Sequence, residues 1–574
     1  MKQGSVSMDT NTTSASGRII EVHQAIAEEI QALGVDIVFG LMSDDTAVFC
    51  TSLDGLGITF HGARHENNAI AMAEGYAFAT GRLGVAIVGR GPATANGFHA
   101  AVAASRMGSK LLIIYGEQAQ PTGAVNTMGP DYKGFNAIGV LQAAGLRAFV
   151  ASSAAAARAA FADAVATAEQ GTAAALLLPT NVQHTEINAP VPTPRAAVPP
   201  RKPAAPRAQA IAAAAEMLRS SQKPIIIAGR GAHLAGAKEA IEALAERTGA
   251  LLVTTAKGKD MFRGHPFNLG ILGSFSHSMA RRMVDQADCA VVFGAGLNFL
   301  TMSFGASLPP VPLIQVDSNR ANIGRYSHAD VAVVGDARLA AEGILAALPA
   351  GSNAEKPFRS ETVRATLAAY DIGKDFQPAN TPRTVDMRSL GAELNALLPE
   401  QKNIVYDAGN FLGILPYLSV PGPGHFKMTS EFASIGLGFG TALGVARGRP
   451  DIPTVLVIGD GGFLMTMGEL ETVVREDIPL VIIVMNDCAY GAELHFLRMR
   501  GLPEAKSVFP DVDYAPVAAA FGFEARTIRT LEDLHAAAPL LRNPQGPVLL
   551  DCKLNADVAA PFMSEFYAFE TGKH

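Results

Sequence analysis

The sequence predicts an α/β protein of three doubly wound parallel-sheet domains. Two observations carry the fold. Apolar, β-branched runs of strand length alternate with alanine-rich helical stretches throughout the chain, the pattern of parallel sheets buried on both faces. Two proline-containing polar stretches, 189–207 and 351–383, divide that alternation into three blocks.

Residues 1–17 are polar, without an apolar core, and read as a disordered tail rather than a secretory signal. The first domain is expected over 18–188, with strands in DIVFGLM, VAIVG, LLIIYG and AALLLP. The linker 189–207 follows. The central domain, 208–350, contains PIIIAGRG, ALLVTT, CAVVFGAG and PLIQVD. After the linker 351–383, the third domain spans 384–560, with NIVYDAG, TVLVIGD, LVIIVMND and PVLLDC. Residues 561–574 are expected to form a C-terminal tail. The first and third blocks look like copies, although no sequence repeat proves it.

Composition narrows the function. At 574 residues and 49% hydrophobic, the chain can build several cores. A net charge of −7 without a basic block argues against nucleic acid. No apolar run is long enough to span a membrane, so no membrane partner is expected. Cys50, Cys289, Cys488 and Cys552 are scattered, with neither metal-ligand spacing nor a disulfide framework, which favours a reducing cytoplasm.

The strongest chemical signal is the pair Asp460 and Asp487, 27 residues apart. IPTVLVIG before GDG reads as a buried strand, FLMTMGELETVVRE as a helix, and PLVIIVM as a second strand. In such a right-handed βαβ unit both carboxylates emerge at the C-terminal ends of parallel strands. Two hard oxygen ligands beside a glycine turn and a helix N-terminus suit Mg²⁺, with Ca²⁺ as the alternative, bridging a diphosphate.

GDG, then about 27 residues to an Asn-Asp pair, resembles the cofactor signature of thiamine diphosphate enzymes. The resemblance implies thiamine diphosphate and Mg²⁺, held by Asp460, Asp487 and the carbonyl of Ala489. Asp487 departs from the family's usual Asn and adds a negative charge. RHENNAIAMAEGYA, within a longer stretch similar to the family's pyrimidine-binding domain, places Glu66 at the activating glutamate. Such a carboxyl bonds the aminopyrimidine and promotes loss of the proton at C2 of the thiazolium. EFASIGLGFGTALG resembles the segment under the thiazolium ring. There Ile435 would bend the cofactor, while its N–H and the Ala433 carbonyl would bond the aminopyrimidine. By spacing alone, Ile435 reads equally as core. DAGN resembles the diphosphate loop, with Asn410 and the Phe411 backbone as candidates. Gly461 and Gly462 would leave room for phosphate.

The domain order, pyrimidine-binding, central and diphosphate-binding, resembles acetolactate synthase, pyruvate decarboxylase and benzoylformate decarboxylase. Asp44 and Glu493 correspond to acidic residues of pyruvate decarboxylase, implying proton relay. That likeness breaks at Val125 and Asn126, where that enzyme has a His-His pair. Slow protonation would leave the enamine free to attack a second carbonyl. Acetolactate synthase features are also missing: the chain has no Trp, and GAGLNFLTMSFG stands at the FAD-contacting stretch, so no FAD is expected. GRGAH, 229–233, is a glycine turn after a strand that could suggest a nucleotide, but the central domain of the resembling family often keeps this pattern without one, and the plain turn is the favoured reading. His65, His277 and His495 are weaker proton-donor candidates, and Cys488 has no partner for nucleophilic catalysis.

The expected activity is decarboxylation of a pyruvate-like 2-oxo acid with transfer to a carbonyl acceptor, an acetolactate-synthase-like carboligation. A simple decarboxylase releasing an aldehyde, or a non-catalytic assembly or regulatory relative, remains open. The resemblance also implies a homodimer or homotetramer with active sites between subunits.

Overall fold

A computed structural model describes residues 18–119, 132–194, 202–349 and 357–572. The expected tail 1–17 and the Val125–Asn126 pair lie outside the described residues. The chain forms two compact units, Met1–Ala73 with Leu83–Pro199, and Glu74–Arg82 with Pro200–His574.

The first unit holds a six-stranded parallel sheet in the spatial order Thr59–Gly62, Ile37–Leu41, Gly84–Val88, Leu111–Glu117, Ala174–Pro179, Arg147–Val150. A separate antiparallel ribbon pairs Arg18–Glu21 with Glu186–Ala189. The second unit holds two more six-stranded parallel sheets. One runs Asn268–Ile271, Leu251–Thr254, Pro224–Ala228, Cys289–Phe293, Leu313–Asp317, Val331–Val334. The other runs Phe426–Met428, Asn403–Tyr406, Thr454–Gly459, Leu480–Asn486, Val548–Lys553, Glu524–Ile528. Helices flank all three sheets.

The uninterrupted apolar runs have a direct cause. In Pro224–Ala228, Ile226 and Ala228 enter one core while Ile225 and Ile227 enter the core on the opposite face. A strand buried on both faces has no polar alternation to show. The first and last sheets share one strand order: the second strand in sequence lies outside the first, and the last two exchange places. The likeness of the two blocks is thus present in topology.

Two segments carry more structure than expected. Within 351–383, Glu361–Ala368 is a helix whose N-cap Ser360 accepts the Val363 N–H at 3.3 Å, and Phe358 is buried in a core of the central domain. The expected C-terminal tail contains the helix Pro561–Thr571. Phe566 and Phe569 both lie 5.6 Å from the Phe304 ring, centroid to centroid. Phe562, Phe566 and Phe569 recur at helical spacing, and that periodicity is why the segment packs.

Candidate active site

The strands Asn403–Tyr406, Thr454–Gly459 and Leu480–Asn486 are neighbours in parallel register. Sequence order reverses direction between the first two, which opens a crevice at their C-terminal ends. Gly459 stands opposite Met485, so Asp460 and Asp487 leave adjacent strand ends. A cavity of about 530 Å³ lies there, lined by Asp460, Asp487, Ala489, Ala433, Ile435, Asn410, Phe411, Gly461, Gly462 and Glu493.

Asp460 is buried and Asp487 half-buried. Burial first, then repulsion from Asp487, holds the Asp460 carboxyl well above the usual carboxylate range. Burial raises Asp487 likewise. Neither has an ion-pair partner among the described residues. Asp487 Oδ1 accepts the Ala489 N–H at 3.2 Å, closing a tight loop in which Cys488 takes a φ of 57°. Asn486 anchors the loop, accepting from Cys488 N at 3.2 Å and donating to Asp551 at 2.8 Å. A Cβ on Gly491 would stand 2.2 Å from Asp487 Oδ2, so the next helix, Gly491–Met499, can begin there only with glycine.

The expected reason for Gly461 and Gly462 was room for phosphate; the protein's own packing already needs that room. A Cβ on Gly461 would meet the Tyr490 ring at 2.7 Å, and one on Gly462 would meet Asp407 Oδ2 at 2.8 Å. Asp407 is the residue that motif reading passed over. Fully buried, it accepts the Gly436 N–H at 2.7 Å and the Thr429 hydroxyl at 3.0 Å. It thereby holds the segment carrying Ala433, in the left-handed region at φ 52°, and Ile435. Burial pushes its carboxyl up to about 6. A carboxylate directly before a glycine-containing loop, at the end of a buried strand, is the signal that marks it. Ile435 is half-buried and lines the cavity wall.

Asn410 engages both ends of its side-chain amide with the C-terminal segment, donating to Val558 O at 2.9 Å and accepting from Ala560 N at 2.8 Å. The side chain clasps the C-terminal segment while Asn410 lines the cavity. The Phe411 carbonyl accepts the Tyr406 hydroxyl at 2.5 Å. Glu493 is exposed in the first turn of Gly491–Met499, at the cavity rim. His495 is buried and does not line the cavity. His277 caps the helix Ser278–Val284 through its Nδ1, which accepts Ala280 N at 3.1 Å. Gly229 and Gly231 of GRGAH pack directly against Gly294, which explains both glycines.

Glu66 and Asp44 belong to the first unit. Glu66 opens the helix Glu66–Thr80, is buried, and accepts a bond from Asn96 Nδ2 at 3.1 Å. His65 accepts the Asn67 N–H through Nδ1, a local turn contact. Asp44 is exposed and ion-paired with Lys133, which pulls its carboxyl down to about 2. The adjacent Asp45 is the buried carboxylate, accepting Arg90 N at 2.8 Å.

Three family models match successive parts of the chain. They are the thiamine pyrophosphate enzyme N-terminal TPP binding domain at residues 20–143, the central domain at 211–344, and the C-terminal TPP binding domain at 407–552. The chain belongs to the thiamine pyrophosphate enzyme family. Relatives of this family are similar along almost the whole chain. A probable acetolactate synthase large subunit of Methanocaldococcus jannaschii is 27% identical, covering 94% of this chain and 93% of the relative. A sulfoacetaldehyde acetyltransferase of Castellaniella defragrans is 28% identical, covering 94% of each. A probable 2-ketoarginine decarboxylase of Pseudomonas aeruginosa is 29% identical, covering 89% of this chain and 90% of the relative.

The cavity fits what a thiamine pyrophosphate enzyme must hold. Two crowded carboxyls without a counter-ion call for a cation, and their hard oxygens match Mg²⁺ or Ca²⁺. Ile435 presents an apolar ledge beside them. Among the described residues no helix is long and apolar enough to cross a membrane.

Proposed function

We propose that this chain is a thiamine diphosphate- and Mg²⁺-dependent enzyme that decarboxylates a pyruvate-like 2-oxo acid and passes the two-carbon unit to a carbonyl acceptor. The observation that carries this reading is the uncompensated pair Asp460 and Asp487 in a cavity walled by Ile435. Thiamine diphosphate, when bound, would supply the carbon nucleophile and electron sink that decarboxylation of a 2-oxo acid requires. Asp460, Asp487 and the Ala489 carbonyl hold the cation. Ala433 and Ile435 bind and shape the aminopyrimidine side, and the backbone at Asn410 and Phe411, with Gly461 and Gly462, borders the diphosphate. Glu66 holds the proton at the aminopyrimidine N1′. Glu493, at the rim, carries a proton to or from substrate.

Transfer is favoured over aldehyde release because Val125 and Asn126 stand where pyruvate decarboxylase has a His-His pair. Asp44, ion-paired with Lys133, remains, like Glu493, a candidate for carrying protons. Relatives named as a synthase and an acetyltransferase accord with transfer; the one named as a decarboxylase accords with the alternative. The working protein is at least a homodimer, with a homotetramer the fuller expectation. Each site would draw Glu66 from one chain and Asp460 from another. The unpaired Cys50, Cys289, Cys488 and Cys552 support a cytoplasmic setting.

The test is incubation of holoenzyme with pyruvate and a panel of aldehydes and ketones, products read by mass spectrometry. Carbon–carbon bonded products that require the added acceptor are expected. Free acetaldehyde alone would install the decarboxylase reading, and no turnover at all the non-catalytic one.

A further inference from the structure

In the first unit, three side chains meet at the end of the antiparallel ribbon, and none takes part in the candidate active site. Glu21 is the last residue of the strand Arg18–Glu21, His23 lies in the first turn of the helix Val22–Ala32, and His184 closes the short helix before Glu186–Ala189. One ligand-capable atom from each lies within 4.8 Å of the other two. Glu21 Oε2 touches His23 Nε2 and stands 3.5 Å from His184 Nδ1. The two imidazoles meet edge to face, with centroids 5.6 Å apart.

One placement of the hydrogens leaves a ring nitrogen bare. Ser52 Oγ donates its single hydrogen to the Val48 carbonyl at 2.8 Å. It therefore acts as acceptor toward His23 Nδ1 at 3.0 Å, and Nδ1 carries the hydrogen. Burial disfavours a second proton on this ring. Neutral His23 then turns a bare Nε2 lone pair onto a carboxylate oxygen, two acceptors facing each other. A cation between them removes the conflict. A ring oriented through one nitrogen and bare at the other is how proteins prepare a metal-ligating histidine.

We propose that Glu21, His23 and His184 form a Zn²⁺ site that clips the ribbon closed. Two imidazole nitrogens and one carboxylate oxygen, with water in the fourth position, suit a tetrahedral borderline-soft ion better than Mg²⁺. Zn–N bonds of about 2.0 Å put ligand atoms roughly 3.3 Å apart, so the Glu21–His23 contact would open to admit the ion while His184 closes in. His184, at the surface, is the side chain placed to move. The clip would join residues 21–23 to residue 184 and close nearly the whole of the first unit into one loop, where a cross-link constrains the unfolded chain most. The site is independent of the reaction proposed above.

Chelator-treated holoenzyme, kept in excess Mg²⁺ and thiamine diphosphate so that the carboxylate cavity is occupied, is titrated with ZnCl₂ by calorimetry. One Zn²⁺ per chain at micromolar affinity or tighter is expected, weakened at least tenfold in His184→Ala and in Glu21→Gln. Zinc should raise the melting temperature of the wild type and not of His184→Ala, whose zinc-free melt should match the wild type. Co²⁺ in place of Zn²⁺ should give the intense visible absorption of a tetrahedral ion, lost in both variants. Binding that is absent, sub-stoichiometric or equal in wild type and variants overturns the site. Binding without a thermal shift overturns the clip.

Discussion

Asp407 accepts the Gly436 N–H at 2.7 Å, tying the end of one strand to the loop that presents Ala433 and Ile435 to the cavity. The folded protein lifts this carboxyl from an ordinary 3.8 to about 6 by burying it. It therefore holds the proton more tightly than the unfolded chain does. The stability contributed by Asp407 is greatest below 3.8, falls as pH rises toward 6, and stays at its minimum above. Asp407→Asn cannot titrate. The stability of the wild type relative to this variant should fall by up to about 3 kcal/mol across that window. Urea melts of the cofactor-free proteins at pH 4, 5 and 6.5 check it. A difference that stays flat or grows with pH would show that Asp407 does not carry this proton.

The paired carboxylates predict opposite outcomes for two substitutions. Asp487→Asn removes one of two crowded charges and keeps an oxygen ligand. The cofactor-free variant should melt higher than the wild type, and Mg²⁺-dependent thiamine diphosphate binding should survive within about tenfold. Asp460→Ala removes a ligand that the strand end places in the cavity, and Mg²⁺-dependent retention should vanish. Calorimetry of thiamine diphosphate with and without Mg²⁺ reads both. Unchanged cofactor affinity in Asp460→Ala would sink the assignment.

How much of this could be read from the chain depends on how local each determinant is. Strands buried on both faces announce themselves as apolar runs, so the three sheets were legible, and so was the Asp460–Asp487 pair, one βαβ unit long. Ile435 is ambiguous in the sequence because a cavity wall and a core demand the same residue type. Asp407 was missed because its partners, Thr429 and Gly436, lie 22 and 29 residues away. Asp44 was named on motif position, and its contact with Lys133, 89 residues on, lies outside any motif. Long-range pairing of this kind leaves no periodic trace.

Glu66 should act on the cofactor's proton rather than on its affinity. The side chain is buried at a helix start with Asn96 as an oriented donor, and Gln can still accept that bond. Glu66→Gln should keep the fold and much of the cofactor binding, yet slow C2 deprotonation by roughly two orders of magnitude or more. Hydrogen–deuterium exchange at C2 of bound thiamine diphosphate, followed by quenched-flow NMR, measures this step alone. Wild-type exchange in the variant would take Glu66 out of the mechanism.

The last prediction concerns assembly. Glu66 and Asp460 are carried by different compact units, and the family resemblance implies that one site takes these residues from different chains. If so, two inactive proteins can repair each other. Glu66→Gln supplies an intact Asp460, and Asp460→Ala supplies an intact Glu66. In a mixed dimer, one of the two sites would combine both damaged residues and the other would combine both intact ones. Mixing under subunit exchange should therefore restore activity, up to about one site in two for each mixed dimer. If each chain instead completes its own site, every site in the mixture keeps one lesion and activity stays at the background of the separate variants. Native mass spectrometry must first show that mixed dimers formed. Recovery that tracks their abundance supports the shared site; verified mixed dimers without recovery, or an active monomer by light scattering, would end it.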